Sequence, residues 1–378
     1  MRILYFTRHY TSHDYRFLSV LAKSPHKIYY LQLEKKTPSL EKRSLPSEIE
    51  IVEWQQERLQ VKLWDGYSLL IELKRIINTI KPDLIQAGPI QRTALLVALT
   101  GFQPLVTMSW GYDLLIDAKR NPFWGLATRY TLKKSAVLIA DCYTLFEKAI
   151  RYGMPKSRII IFPWGINLKH FSLQKNSTPK KGDPKKQTPF IILSTRSWEP
   201  IYGVDTIAKA FVIAAQKRPD IRLIMLGNGS QSKQIYTIFK NAGLIGNESQ
   251  KNRVEFPGQI EFDELPNYYQ SADLYVSASH SDGTSISLLE ALACGTPVIA
   301  SDIPGNREWI MPNHNGWLFP ESDANALADK ILNAIEKPTK LYKMGRTARY
   351  MVEKRADWTK NSLMLFKAYD IALKDYQQ

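Results

Sequence analysis

Short runs of apolar, β-favouring residues recur along the chain, each followed by a stretch long enough for a helix. In the first half they fall at 3–6, 28–33, 84–87, 105–108, 136–140 and 159–162; in the second at 190–193, 223–226, 254–256, 274–276, 297–300 and 317–319. Between them lie helix-period segments, such as 68–80 with Leu69, Leu73, Ile76, Ile77 and Ile80 on one face, and 205–216 with Ile207, Phe211 and Ala214. Strands that read as unbroken apolar runs are buried on both faces. Alternation with helices therefore predicts an α/β protein with two successive doubly wound parallel sheets, Rossmann-like in plan.

From Gln174 to Pro189 the chain turns to Lys, Pro, Ser, Gly and Thr, so 171–189 reads as an exposed linker. This puts a first domain at 1–170 and a second at 190–357. With 378 residues and 44% hydrophobic content, two domains of comparable size fit better than one core. The opening Met1-Arg2-Ile3-Leu4-Tyr5-Phe6-Thr7-Arg8 reads as a buried strand better than as a signal peptide, and no apolar stretch reaches membrane-spanning length. Cys142 and Cys294 lack a CxxC partner, which points to a reducing compartment, the cytoplasm, and away from a structural zinc site.

Charge changes this picture because it is uneven. The net +15 of the chain arises before residue 191: residues 1–170 carry 25 Lys and Arg against 14 Asp and Glu, and 171–190 carry 5 against 1. A one-sided basic field favours an anionic partner such as a membrane surface, a lipid phosphate or a polyanionic glycan; the plainer alternative is a surface charged for solubility. A nucleic-acid role finds little support, since the aromatics at Tyr29, Tyr30, Trp54 and Trp64 sit in apolar patterns that read as core.

The densest chemical signal runs from Ser277 to Ser301. A strand ends near Ser279, a small polar loop follows, and a helix starts about Ser285 and stops before Gly295. Loop amides and a helix N-terminus together suit a pyrophosphate, so Gly283, Thr284, Ser285 and Ile286 are donor-site candidates. Asp282 and Glu290 stand with seven residues between them and could accept hydrogen bonds from vicinal diols, one from a sugar and one from a ribose. Ser287-x-x-Glu290 fits a capping box equally well, and Asp282-Gly283 a common turn.

This region resembles the family 4 glycosyltransferases, whose acidic motif also spaces two carboxylates by seven residues before a small-residue helix and a Gly-x-Pro-Val strand, here Gly295-Thr-Pro-Val298. The first carboxylate is usually Glu; this chain has Asp282. Further similar elements are Gly227-Asn-Gly229, Val254-Glu-Phe-Pro-Gly258, Gly305 with Glu308, and Asn315-Gly316, and the resemblance extends from about Ala136 to about Trp358. It implies the GT-B architecture of two Rossmann-like domains facing a cleft, with the last helix, 358–378, packing back on the first domain.

The resemblance also implies residue roles. Arg196 stands at a strand end where the family places an arginine on the donor diphosphate, and Tyr202-Gly203 stands where a Lys-Gly pair is usual. Donor binding would fall to Arg196, Gly227, Gly229, Asp282, Gly283, Thr284, Ser285, Ile286 and Glu290. Catalytic roles would fall to Asp282, Arg196 and Asp113. Ser109-Trp-Gly-Tyr-Asp113 occupies the place of a His-Gly-x-Asp motif, with Trp110 where the His would be; Trp110, Gly111, Tyr202, His13, Asp14 and Arg16 are candidates for the acceptor side or the cleft. The function so implied is retaining, metal-independent transfer of a sugar from a nucleotide-diphosphate donor, a co-substrate in place of any cofactor. The acceptor would be a glycan or lipid-linked envelope precursor met at the inner membrane face. A nucleotide-sugar-binding module without transfer activity is the alternative, motivated by Trp110, Tyr202 and Asp282. No Asp-x-Asp pair marks a metal site.

Overall fold

The computed structural model describes residues 1–35, 41–55, 59–173, 189–246 and 252–374. It divides into two compact units, Met1–Pro163 with Lys360–Gln378, and Trp164–Thr359. The predicted linker, apart from its two ends, and the last residues of the predicted C-terminal helix lie outside the described residues.

The first unit holds β1 (Arg2–Thr7), β2 (Lys27–Gln32), β3 (Ile49–Val52), β4 (Leu84–Gly88), β5 (Leu105–Met108), β6 (Val137–Ala140) and β7 (Ile159–Ile161), in the sheet order β3-β2-β1-β4-β5-β6-β7. All neighbours are parallel. Six strands coincide with the predicted apolar runs. The exception is β3, an edge strand with Glu50 and Ile51 facing solvent, so its short Ile-Glu-Ile-Val stretch lacks the signature of a buried parallel strand. Helix Gly66–Ile80 lays Leu69, Leu73, Ile76, Ile77 and Ile80 against Leu4, Phe6, Leu31 and Ile85. Helix Leu363–Lys374 belongs to this same unit, where Tyr369 is fully buried and its hydroxyl donates to Gln86 Oε1 on β4.

The second unit holds β8 (Phe190–Ser194), β9 (Ile221–Leu226), β10 (Val254–Gly258), β11 (Leu274–Ser277), β12 (Val298–Ser301) and β13 (Gly316–Phe319), ordered β10-β9-β8-β11-β12-β13 and parallel throughout. Adjacent strand residues serve opposite cores. Ile192, Leu274 and Val276 join one with Ile207 and Phe211, while Leu193 and Tyr275 join the other with Leu288 and Leu292. Burial on both faces is why these strands read as unbroken hydrophobic runs.

The second unit begins at Trp164, ahead of the Lys- and Pro-rich segment, because 166–171 is fastened into it. Ile166 N donates to Ala356 O at 2.7 Å, and Trp358 N donates to Ile166 O at 3.1 Å. Arg349 Nη1 donates to Phe171 O and Ala293 O at 2.6 and 2.8 Å, and Phe171 packs edge-on to Phe262 and Tyr269.

Helix Pro338–Arg355 approaches helix Ile286–Ala293 through a pair of glycines: a Cβ on Gly345 would lie 2.0 Å from Gly295 O. Helix propensity favours Ala over Gly by about 1 kcal/mol, but an overlap that forces backbone movement costs about 1–3 kcal/mol. Gly345→Ala is therefore expected to lower the denaturant midpoint with helical content unchanged. An equal or higher midpoint would show that the helices separate freely.

Candidate functional site

In each sheet the strand order reverses beside the first strand, and ligands of such sheets bind at the carboxyl ends of the two strands that flank the reversal. In the second unit these are β8 and β11. Arg196 follows β8, and the loop that carries Asp282 follows β11. The pair is brought together: Arg196 Nη2 donates to Asp282 Oδ2 at 2.8 Å, with side chains 12% and 20% exposed. Arg196 Nη1 donates to Ser285 Oγ and Ser287 Oγ at 3.0 and 3.2 Å. The Tyr202 ring covers the guanidinium, with Cζ 4.0 Å from the ring centroid. Burial acts to depress the arginine pKa, but the Asp282 carboxylate and neighbouring tyrosines hold it above its ordinary value. Arg196 Nε is buried without a hydrogen-bond partner, so a planar donor fork remains incompletely used.

Ser285 is the N-cap of helix Ile286–Ala293, and its Oγ accepts from Leu288 N at 3.4 Å. Ser287 and Glu290 do not form the alternative capping box: Ser287 faces Arg196, and Glu290, 7% exposed, accepts from Tyr269 OH at 2.8 Å. Because Tyr269 spends its proton on Glu290, Thr195 Oγ1, 2.9 Å away, donates to it. Tyr275 OH donates to Ser287 Oγ at 3.0 Å. A line of hydroxyls thus runs from Glu290 past Thr195 and Tyr275 to Ser287 and the guanidinium. The first amides of a helix have no acceptor within it, so Ile286 and Ser287 also present donors at this end.

Glycines set the loop positions. A Cβ on Gly305 would lie 2.3 and 2.5 Å from Gly283 O and Asp282 O, and one on Gly203, at φ 58°, would meet Ala278 O at 2.2 Å. Gly227, at φ 88°, and Gly229 fit the loop after β9 against the backbone of Arg196 and Trp198. Ser301 Oγ donates to Ser279 O at 2.5 Å, and Asn306 Nδ2 to Ser301 O at 2.9 Å, which buttresses the loop from β12. Thr284 is buried within it.

The candidates of the first unit are buried, as are Asp14, Gly111 and Asp113, or half-buried, as are His13, Arg16 and Trp110. Asp113 is fully buried, and each carboxylate oxygen accepts two bonds: Oδ1 from Ser109 Oγ at 2.6 Å and Leu114 N at 2.9 Å, Oδ2 from Ile90 N at 3.1 Å and Trp110 N at 3.2 Å. Burial raises its pKa against these bonds. Its place is that of a tie between two loops, with Gly111 in the left-handed region at φ 86°, and it is not carried forward as catalytic. Asp14 closes a capping box with Thr11 at the start of helix Ser12–Leu21, and Tyr5 OH donates to its Oδ1 at 3.2 Å. His13 and Arg16 are half-buried on that helix, and the His13 ring lies 5.4 Å from Trp110.

Comparison with known proteins decides the family. Residues 176–351 match the family described as Glycosyl transferases group 1, and residues 2–142 match Glycosyl transferase 4-like. The chain belongs to the group 1, family 4-like glycosyltransferases. Among its relatives, the D-inositol 3-phosphate glycosyltransferase of Pseudarthrobacter chlorophenolicus is 27% identical over 60% of this chain and 53% of its own. The GDP-mannose-dependent monoacylated alpha-(1-6)-phosphatidylinositol monomannoside mannosyltransferase of Corynebacterium glutamicum is 27% identical over 52% of each. The match thus spans about half the length of these relatives. HepE of Anabaena, solved in complex with UDP-glucose, superposes with a TM-score of 0.78 at 19% identity, covering 98% of this chain and 99% of that one. It shares the fold, two parallel-sheet α/β domains of GT-B type.

Sequence reasoning did not single out Thr195, Tyr269, Tyr275 and Gly305 as site residues. Gly305, Tyr275 and Thr195 left a trace only as members of family elements, Tyr275 in the run Ala272–Ser277 and Thr195 beside Arg196. The tyrosines lie in a strand and a helix whose apolar pattern conceals where their hydroxyls end.

Asp14 generates a pH prediction. Burial, opposed by bonds from Thr11 and Tyr5, raises its pKa from 3.8 to about 7. Between those values the folded chain keeps a proton that the unfolded chain has lost. Its contribution is therefore full below about pH 4 and is lost as pH rises through about 7, with a slope of at most about 1.4 kcal/mol per pH unit. Denaturant midpoints of wild type should fall relative to Asp14→Asn across that window. A constant difference would mean that Asp14 is ionised throughout.

Proposed function

We propose that the protein is a retaining glycosyltransferase whose second unit holds a nucleotide-diphosphate sugar, and whose first unit receives the acceptor, a glycan or lipid-linked precursor. The observation that carries this reading is the convergence of Arg196, Asp282, Ser285 and a helix N-terminus at the strand-order reversal of the second sheet. Arg196 offers its unpartnered Nε–H to the diphosphate, and the amides of 284–286 share the charge that develops as the diphosphate leaves. Asp282 and Glu290 accept from hydroxyls of the donor; as the bond from the anomeric carbon to the diphosphate oxygen breaks, the acceptor oxygen bonds to that carbon on the same face and its proton passes to the departing diphosphate, without a protein base. Gly227 and Gly229 keep the neighbouring loop clear of the site.

The electrostatic work is assigned to Arg196 and not to a divalent cation. Assayed in EDTA with a soluble acceptor, wild type should therefore transfer sugar, and Asp282→Asn and Glu290→Gln should each lose about 10- to 100-fold in kcat/KM. That range corresponds to one charge-assisted hydrogen bond of about 1.5–3 kcal/mol. Wild-type rates in both variants would leave the acidic motif a structural element, and rescue only by magnesium would overturn the metal-free reading.

Peripheral attachment to an anionic membrane from the cytoplasmic side is part of the proposal. The two cysteines are buried thiols outside any disulfide, in accord with a reducing compartment, and among the described residues no helix is long and apolar enough to cross a membrane. Of the basic residues in the first half, Lys36 lies outside the described residues, and Arg43 is engaged by Glu41 and Tyr15. Helix Pro122–Lys134 is a better support: it exposes Phe123, Leu126 and Tyr130 beside Arg120, Arg129, Lys133 and Lys134. Each basic residue near an anionic surface adds about 1 kcal/mol within a Debye length. Sedimentation with anionic vesicles at low salt should deplete the protein, neutral vesicles should not, and Phe123→Ser with Leu126→Ser should weaken the effect. Equal partitioning to both vesicle types removes the membrane from the proposal.

A further inference from the structure

The first sheet also has a strand-order reversal, between β1 and β4, where Thr7 is the register partner of Gly88. Arg8 leaves the end of β1, and Arg92 lies in the turn Ile90–Ala94 that follows β4. Arg8 Nε donates at 2.8 Å to Glu34 Oε2, a carboxylate that is 2% exposed and also takes Val61 N at 3.2 Å through Oε1. His9 adds a ring contact to the same carboxylate at 3.3 Å. Arg92 is half-buried, and among the described residues its guanidinium has neither a hydrogen bond nor an ion pair. It rests on Trp124, Cζ 5.4 Å from a ring centroid, and Arg120 approaches the same ring at 5.5 Å.

The charges form one neighbourhood. Asp117 feels Arg92, Arg120 and Arg8 together, yet burial outweighs them and raises its pKa. For Arg92, burial and then Arg8 lower the pKa, against weaker support from Glu34, Tyr112 and Asp117. Three guanidiniums thus face two carboxylates, one of them already held by Arg8. A half-buried cation without a counterion is unfavourable unless an anion completes it, and arginine forks over an aromatic plane suit a tetrahedral oxyanion.

We infer that Arg92 and Arg120 against Trp124, with Arg8 at the end of β1, form a phosphate-binding subsite at the strand-order reversal of the first unit, and that the acceptor carries the phosphate. The inference rests on the proposal that this unit receives the acceptor and adds the acceptor's chemical class. The phosphate could belong to a lipid headgroup or to a soluble phosphate ester; the subsite chemistry is the same for both.

The test uses the full chain with Arg196→Gln, which disables the diphosphate site of the second unit, at constant ionic strength. Inorganic phosphate should still raise the melting temperature of this variant in a saturable way. Adding Arg92→Gln should raise the half-saturating concentration at least about tenfold, the effect of losing one charge-assisted contact. Should Arg92→Gln fail to fold, Arg92→Lys keeps the charge but loses the fork, and a several-fold weakening is expected. No saturable response in Arg196→Gln, or an unchanged response on altering Arg92, overturns the subsite. Glycerol 3-phosphate and short-chain phosphatidic acid then separate the sources: tighter binding of the lipid supports a headgroup, and equal binding supports a soluble ester. None of these readouts requires sugar transfer. A chain that bound phosphate here but transferred nothing would unseat the proposed function alone.

Discussion

A guanidinium withdrawn from water must be neutralised and hydrogen-bonded where it lies, and the second unit is arranged around that requirement at Arg196. Asp282 supplies the opposite charge, Ser285 and Ser287 accept from Nη1, and Tyr202 covers the plane. Asp282, Ser285 and Ser287 come from the loop after β11 and the helix it enters, and Tyr202 from the turn that follows β8, so the ion pair fixes the loop after β11 relative to the end of β8. Gly305 and Gly203 let the backbones approach closely enough for those side chains to meet. Breaking a buried pair by removing one partner leaves an uncompensated charge and typically costs about 3–5 kcal/mol.

The two units use one topology for different ends. In both, strand order reverses beside the first strand, and in both an arginine follows that strand. In the second unit the arginine is matched by a carboxylate and hydroxyls and keeps one donor in reserve. In the first, Arg8 is matched by buried Glu34, and the unmatched charge is passed to Arg92. Asp113, a catalytic candidate from the sequence, and Asp14, a cleft candidate, are tied into holding loops and a helix start.

The architecture was legible because parallel strands buried on both faces leave continuous apolar runs; edge strand β10 departs from this at exposed Glu255 and Pro257, and eleven of the thirteen strands among the described residues carry that mark. Edge strand β3 does not, since half its residues meet solvent. The acidic motif was legible from local spacing within one loop and helix. The pairing of Arg196 with Asp282 joins positions 86 residues apart and depends on which strands are neighbours, which composition does not encode. The same reason hides Tyr269 and Tyr275, whose rings belong to the core while their hydroxyls serve the site. The four donors around Asp113 were not legible because a sequence shows the presence of a carboxylate and not how many donors already occupy it.

Tyr202 on Arg196 has a thermodynamic consequence. An arginine side chain free in solvent carries about 2 kcal/mol of rotamer entropy, which a ligand would ordinarily have to extinguish. Here the ring fixes one face of the guanidinium and the pair to Asp282 fixes its edge, so that freedom is surrendered when the chain folds. A diphosphate arriving at this arginine meets a group already oriented, and the entropy of ordering it belongs to the stability of the fold and not to the affinity of the complex.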